Sequence, residues 1–317
     1  MTGRFAELLR HRGRQVGTVA GLVALCVGLW ILTPHFLTVS NLLNVLDQTA
    51  INAIVAVGMT FVIVSGGIDL SVGSVLALSG IVLGNALAAG MPMPAAIALG
   101  LVVGTACGTI NGALVSWGRL PPFIATLGMM SVARGVALML AEGRPVSGFD
   151  EGFRMLATSR VAGVPAPVFV MIAIYAIAHA VLSRTVFGRA TFAIGGNEEA
   201  ARLSGVAVRF HKTCAYGVAG LMSGAAAVLL TARLNSAQPT AGIMYELDAI
   251  AAAVIGGVSL TGGEGSVVGV LTGALIMGVL RNGLNLLNVS SFFQQVVIGA
   301  VIIGAVFMDT WFKRRRQ

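Results

Sequence analysis

The chain is 317 residues long, 56% hydrophobic and 10% charged, with a formal net charge of +8. A soluble domain carries about 25% charged residues, so most of this surface must meet lipid or other subunits, and no stretch remains that could fold as a separate soluble catalytic module. One membrane-embedded domain over 1–317 is expected, and the basic residues gather at helix ends rather than on one soluble face, which argues against a nucleic-acid partner.

A spanning helix needs about 20 predominantly apolar residues. In chain order the apolar segments are Val16–Leu32, Val45–Val64, Ser71–Ala89, Ala95–Trp117, Phe123–Ala141, Pro167–Leu182, Cys214–Ala232, a shorter one at Asp248–Val258, Val267–Leu287 and Gln294–Phe312. The expected fold is all-α, a polytopic membrane protein with about ten transmembrane helices. The first segment follows Arg4, Arg10, Arg12 and Arg14, as a signal peptide would, but it is longer than an h-region and no A-x-A-like site follows it. It reads as the first helix. Cys26, Cys107 and Cys214 each lie in or at the start of an apolar segment, with no spacing that suggests a disulfide or a metal.

Charge sets the orientation. The four arginines before the first helix, and Lys313, Arg314, Arg315 and Arg316 after the last, place both termini in the cytoplasm by the positive-inside rule. An even number of crossings then puts Arg119 inside as well. The Ser183–Thr213 loop, with Arg184, Arg189, Arg202, Arg209 and Lys212, falls on the same side.

Glycine supplies the next signals. Gly66-Gly67-Ile68-Asp69-Leu70-Ser71-Val72-Gly73 resembles Gly256-Gly257-Val258-Ser259-Leu260-Thr261-Gly262-Gly263, which lies 190 positions later. Corresponding Gly-interrupted segments in two halves suggest an internal repeat with broken or re-entrant helices; two tight turns of similar composition are the alternative. Gly66, Gly67, Asp69, Gly256 and Gly257 are the candidate break residues, with Asp69 suited to cap the helix that starts near Ser71. Gly100, Gly104, Gly108 and Gly112 form a four-residue stripe, echoed by Gly220 with Gly224 and Gly269 with Gly273. Such stripes let a neighbouring helix approach closely, within one chain or across a dimer.

The central connection, 184–212, contains Gly195-Gly196-Asn197-Glu198-Glu199-Ala200-Ala201-Arg202-Leu203-Ser204-Gly205. Asn197 is a fitting N-cap, Glu198 and Glu199 suit the positive end of the helix dipole, Ala200, Ala201 and Leu203 allow close packing on a partner, and Gly195 and Gly196 before the helix and Gly205 after it bracket it with bends, Gly205 being the stop. A short helix between two spans is suited to dock on a soluble partner. Polar residues at membrane depth mark candidate path positions. Asn52, Asn111 and Asn282, whose side-chain amides offer both donors and an acceptor, are the candidates for the path, with interhelical packing as their alternative role. Arg134 and Arg281 are expected to pair with carbonyls, a carboxylate or the interface rather than to line the path.

The central loop, the Gly66–Gly73 element and Asn111-Gly112 together resemble the membrane permeases of bacterial ABC importers for monosaccharides, most closely the ribose type. Pro122-Phe123-Ile124-Ala125-Thr126-Leu127-Gly128, Ala133-Arg134-Gly135 and Gly283-Leu284-Asn285-Leu286-Leu287 extend the likeness from about Asn41 to the C-terminus. The resemblance implies a permease in the bacterial inner membrane, embedded in lipid and working as a homodimer, that translocates a monosaccharide. Its partners would be a cytoplasmic ABC ATPase and a periplasmic sugar-binding protein. It also implies that Gly195, Gly196, Asn197, Glu198, Glu199, Ala200, Ala201, Arg202 and Gly205 form the ATPase-coupling element.

Independently of that likeness, the chain has no G-x-x-x-x-G-K-[ST], and its only lysines are Lys212 and Lys313, neither of them after glycine. ATP would therefore be bound by a partner ATPase; no cofactor, metal or catalytic residue is expected here, and the chain is read as a transporter subunit rather than an enzyme. The alternatives are a permease for branched-chain amino acids or nucleosides, and an ion-coupled secondary carrier. The carrier would need a carboxylate relay, for which only Asp69 and Asp47 come near.

Overall fold

The computed structural model describes residues 2–314, with side chains described over 16–307. The terminal cations on which the orientation argument leans, Arg4 to Arg14 and Lys313 to Arg316, lie outside the described side chains. In chain order the elements are α1 (Thr2–Leu32), α2 (Val39–Val64), α3 (Val72–Ala88), α4 (Met93–Ser116), α5 (Pro122–Leu140), β1 (Val146–Ser147), α6 (Glu151–Thr158), β2 (Arg160–Val161), β3 (Val164–Pro165), α7 (Ala166–Arg184), α8 (Val186–Gly196), α9 (Glu198–Leu203), α10 (Val208–Leu234), β4 (Ser236–Ala237), α11 (Tyr245–Ile255), α12 (Val267–Leu286) and α13 (Ser291–Arg314). Among the described residues the molecule is all-helical apart from two short antiparallel pairings, β1 with β4 and β2 with β3.

Local chemistry explains where the helices begin. Prolines stand at the first turns of α4, α5 and α7, where a missing N–H costs nothing. Thr38 caps α2 by accepting from the Asn41 N–H, and Thr185 caps α8 by accepting from the Gly188 N–H.

Among the described residues six helices are long and apolar enough to cross a membrane: α2, α4, α5, α7, α10 and α12. Val16–Leu32, Val72–Ala88 and Ser291–Phe307 are shorter apolar stretches, and α11 has 11 residues, about 16 Å of helix. Of these, α3, with 17 residues, and α11 are shorter as helices than the roughly 30 Å hydrocarbon core demands. The reason lies in the Gly-rich ends, which stop α2 and α11 and delay α3 and α12.

Within this bundle α2 and α10 are central. Their apolar windows are 83% and 61% buried, against 22% for α4 and for α5. The exposed faces of α4 and α5 carry Val102, Ile110, Phe123 and Val132, the surface expected of helices in lipid. The glycine stripe of α4 packs inside this chain, against α10. A Cβ on Gly104 would lie 2.5 Å from the Gly220 carbonyl oxygen, and one on Gly112 would lie 2.6 Å from the Thr213 Cα. Gly269 and Gly273 meet Gly256 and Ala252 in the same way, joining α12 to α11.

The connection 142–166, polar in sequence and given no role there, contains α6 and three short strands. Phe149, Phe153 and Ala157 bury themselves against α3 and α10. Asn235, in the left-handed region at φ 50°, caps α10 and accepts from the Phe149 N–H at 3.0 Å. The central connection is also more ordered than an open loop. It holds α8, α9 and the first turns of α10, which starts at Val208, ahead of the apolar run.

Candidate functional site

Two places on α2 gather the sequence's polar and glycine signals. The first is a cavity of about 220 Å³ beside its N-terminal half, closed by α10, α11, α12 and α13. Helical spacing builds it. Gln48, Thr49 and Asn52 share a face of α2, Tyr245, Asp248 and Ala252 share one of α11, and Gly278, Arg281 and Asn285 share one of α12. Asp248 is 2% exposed, and its Oδ2 accepts from Arg281 Nη2 at 2.6 Å. Next to the cavity, Arg233 Nε stands 3.2 Å from Asp47 Oδ2. Gln294 Nε2 donates to Asn285 Oδ1 at 2.8 Å. Several buried polar atoms here have no hydrogen-bond partner: Thr49 Oγ1, Asn52 Oδ1, Asp248 Oδ1 and Arg281 Nε.

Of the three amides expected on a path, only Asn52 lines this cavity. Asn111 is fully buried on α4, where its Nδ2 donates to Ser71 Oγ at 2.8 Å. Asn282 and Asn41 exchange side-chain hydrogen bonds at 2.8 and 3.0 Å, tying α12 to α2. The three do not converge. Arg134 donates to the Pro239 and Ala241 carbonyls at 2.6 and 2.8 Å, and Arg281 has its carboxylate, as expected of both. Sequence reasoning misses Asp248 as Arg281's partner, because spacing alone does not bring α11 beside α12.

The second place is the C-terminal end of α2. The helix ends at Ser65, and Gly66 follows at φ +81°. Asp69 Oδ1 then accepts from the Ser71 N–H at 2.8 Å and from Ser71 Oγ at 2.6 Å. The related segment closes α11 alike. Gly257 has φ +90°, and Ser259 Oγ accepts from the Thr261 N–H at 3.3 Å. Both helix ends thus use a left-handed glycine, then a polar side chain that turns the chain two residues on.

These two segments meet each other and the end of α8. The Gly263 N–H donates to the Val64 carbonyl at 3.0 Å. A Cβ on Gly262 would lie 2.9 Å from the Gly195 Cα and 3.0 Å from the Gly66 Cα, and one on Gly195 would run into the Val64 carbonyl oxygen. Three backbones cross here with no room for a side chain.

One residue beyond α8, α9 begins, with Asn197 Oδ1 accepting from the Ala200 N–H at 2.9 Å. Glu198 pairs with Lys212 of α10 at 2.5 Å and Glu199 with Arg202 at 2.6 Å. The bond to Glu199 pushes the Arg202 guanidinium above its ordinary pKa. Gly205, at φ +84°, ends the turn. Two details differ from the sequence reading. Gly195 and Gly196 are helical residues of α8, not flanking bends, and a Cβ on Gly196 would meet open space. Ala201 is 5% exposed and packs on Ile194 and Val208 of its own chain, so it does not face a partner. Leu203, 78% exposed, is the apolar residue presented outward.

Among the described residues no three His, Cys, Asp or Glu side chains stand together as a metal site. Comparison with known proteins gives this helical architecture a family. Residues 41–306 match the family described as the branched-chain amino acid transport system / permease component. The chain is 50% identical to the ribose import permease protein of Bacillus subtilis (strain 168), over 93% of this chain and 92% of that one. It is 49% identical to the ribose import permease protein of Escherichia coli (strain K12), over 91% and 92%. To the D-allose transport system permease protein of the same organism it is 41% identical, over 87% and 85%. The chain belongs to this permease family and is a polytopic membrane protein.

Proposed function

We propose that this permease-family chain is the membrane subunit of an ATP-driven importer for a ribose-like monosaccharide. The observation that carries the reading is the extent of the likeness: about half of all positions are shared with ribose import permeases along more than nine-tenths of the chain. The alternatives, an importer of branched-chain amino acids or nucleosides and a secondary carrier, are not favoured by relatives named for ribose and allose.

In this reading the whole of 1–317 is one transmembrane domain in the inner membrane, crossing it about ten times with both termini in the cytoplasm. The six long helices, the three shorter apolar ones and α11 supply those crossings. The two Gly-rich helix ends are corresponding parts of an internal repeat, and their like turn chemistry supports that. The subunit works as a homodimer with two ATPase subunits, which bind the ATP, and a periplasmic sugar-binding protein. Asn52 is the path residue retained; Asn111 and Asn282 serve interhelical packing.

Coupling runs through the Gly195–Gly205 segment. Leu203 with the Glu199–Arg202 pair forms the face for the ATPase, while Ala201 and the Glu198–Lys212 pair fasten α9 to its own chain. The Gly66, Gly195 and Gly262 crossing then passes a push on α9 to the ends of α2 and α11, since interlocked backbones move as a unit.

The test is reconstitution in liposomes with the cognate ATPase and binding protein. ATP-dependent accumulation of D-ribose is expected only with all three present. ATP hydrolysis by this chain alone, or accumulation driven by an ion gradient without the ATPase, would overturn the reading.

A further inference from the structure

We propose that the cavity between α2, α11 and α12 is a binding subsite for a neutral polyhydroxylated ligand the size of a pentose; the identity of that ligand as imported cargo rests on the permease reading. At about 220 Å³ the space is many times the ~10–15 Å³ that a single water requires. Its charges are already matched: Asp248 holds Arg281 at 2.6 Å, and Arg233 at the margin holds Asp47 at 3.2 Å. A ligand carrying its own charges would have to break one of these pairs, and a charge left buried alone is costly. An apolar ligand would fit the charge balance but leave the polar walls unsatisfied.

Those walls specify hydroxyls. Asn52 Oδ1 and Asp248 Oδ1 are acceptors without a donor, Arg281 Nε is a donor without an acceptor, and Thr49 Oγ1 can act either way. Thr49 and Asp248 are each 2% exposed, so these are built-in interior groups rather than surface ones. Leaving such a group unpaired costs about 1–3 kcal/mol, and folded proteins keep few of them. A sugar hydroxyl both donates and accepts, so a run of hydroxyls can serve acceptors and donors facing it from three helices. Gly278 fixes the proportions. A Cβ there would strike the Thr49 hydroxyl, so any larger residue on α12 would fill the space and cover the threonine oxygen.

The experiment uses the full-length chain with Asn52→Cys, solubilised and assembled with its ATPase. Alkylation of the introduced cysteine by a small water-soluble maleimide is timed with D-ribose, with L-leucine and with neither. D-ribose is expected to slow the reaction at least fivefold, and L-leucine to leave it unchanged. In parallel, Thr49→Val, which keeps shape and removes the hydroxyl, should lower D-ribose uptake by the reconstituted importer at least tenfold at wild-type abundance and melting temperature. Alkylation indifferent to D-ribose would mark a merely hydrated cavity and overturn the proposal, as would protection by leucine equal to that by ribose. Failure of the wild-type importer to move any monosaccharide would remove the import reading instead, while protection of the introduced cysteine by ribose would still stand as evidence for the subsite. Asn111→Leu, buried outside the cavity, is the control and should leave protection intact.

Discussion

The two ends of α2 solve opposite problems with the same helix. Around Thr49 and Asn52 the neighbours stand apart, and polar side chains from three helices point into the gap. Around Val64 the neighbours close until backbone touches backbone, and the residues that meet are Gly66, Gly195, Gly262 and Gly263. A substrate pathway needs space lined with groups that can be satisfied by turns. A point that passes motion needs the reverse, contact without compressible side chains between the parts. The contrast teaches that α2 is both wall and rod: one half shapes a cavity, and the other half is gripped.

Four substitutions can break or sharpen that contrast. The largest effect is expected at the open end. Arg281→Leu leaves the Asp248 carboxylate buried without its partner, a loss of about 3–5 kcal/mol, seen as a collapse of the melting temperature and of abundance in the membrane. Asp248→Asn combined with Arg281→Gln removes both charges and should recover most of that stability. If the single variant melts as wild type does, the pair is an accessory of the cavity and not its frame.

Next comes the closed end. Gly195→Ala forces a Cβ onto the Val64 carbonyl, and overpacking of rigid backbone costs about 1–3 kcal/mol. Uptake should be lost even where the protein still folds, whereas Gly196→Ala, one residue on, meets open space and should be silent. Equal uptake by the two variants would remove the gripping role. The neighbouring Asn111→Leu tests how much the polar lock at Ser71 adds. Hydrogen bonds between membrane helices average about 0.6 kcal/mol, so a small drop in melting temperature is expected, with the KM for sugar unchanged. A raised KM would return Asn111 to the path.

The smallest effect on the permease itself is expected from Leu203→Asp. Leu203 is 78% exposed, so the fold should not notice, yet the ATPase should no longer co-purify. Normal co-purification would make α9 an ordinary connection. Ala201→Arg is not the equivalent test, since Ala201 is packed between Ile194 and Val208 and the variant would disrupt α9 from within.

Much of this is legible in the sequence because its rules are local. Apolar length marks the helices, Asn197 and Gly205 mark the limits of α9, and the four-residue glycine spacing marks a close helix approach. What escapes is whatever depends on distant parts meeting. Asp248 and Arg281 are 33 positions apart, and nothing local pairs them. Gly195 reads as a bend because two glycines in a row suggest one, but its function is to let Val64 and Gly263 come near. Asn282 stays undecided between path and packing because Asn41, 241 positions away, cannot be seen beside it. The helix within 142–166 is hidden for another reason: α6 is short and amphipathic, so it carries no long apolar run.

The two faces of α9 have a consequence for descent as well as for mechanism. Its inner face answers to its own chain through Ala201 and Lys212, while its outer face, with Leu203 exposed, makes no such contact. Substitutions at Leu203, Glu199 and Arg202 therefore leave the inward contacts of Ala201 and Lys212 untouched, so this outer face is free to vary independently of the membrane fold. Six residues of helix, fastened on one side only, thus carry one face that the membrane fold dictates and one that it leaves open.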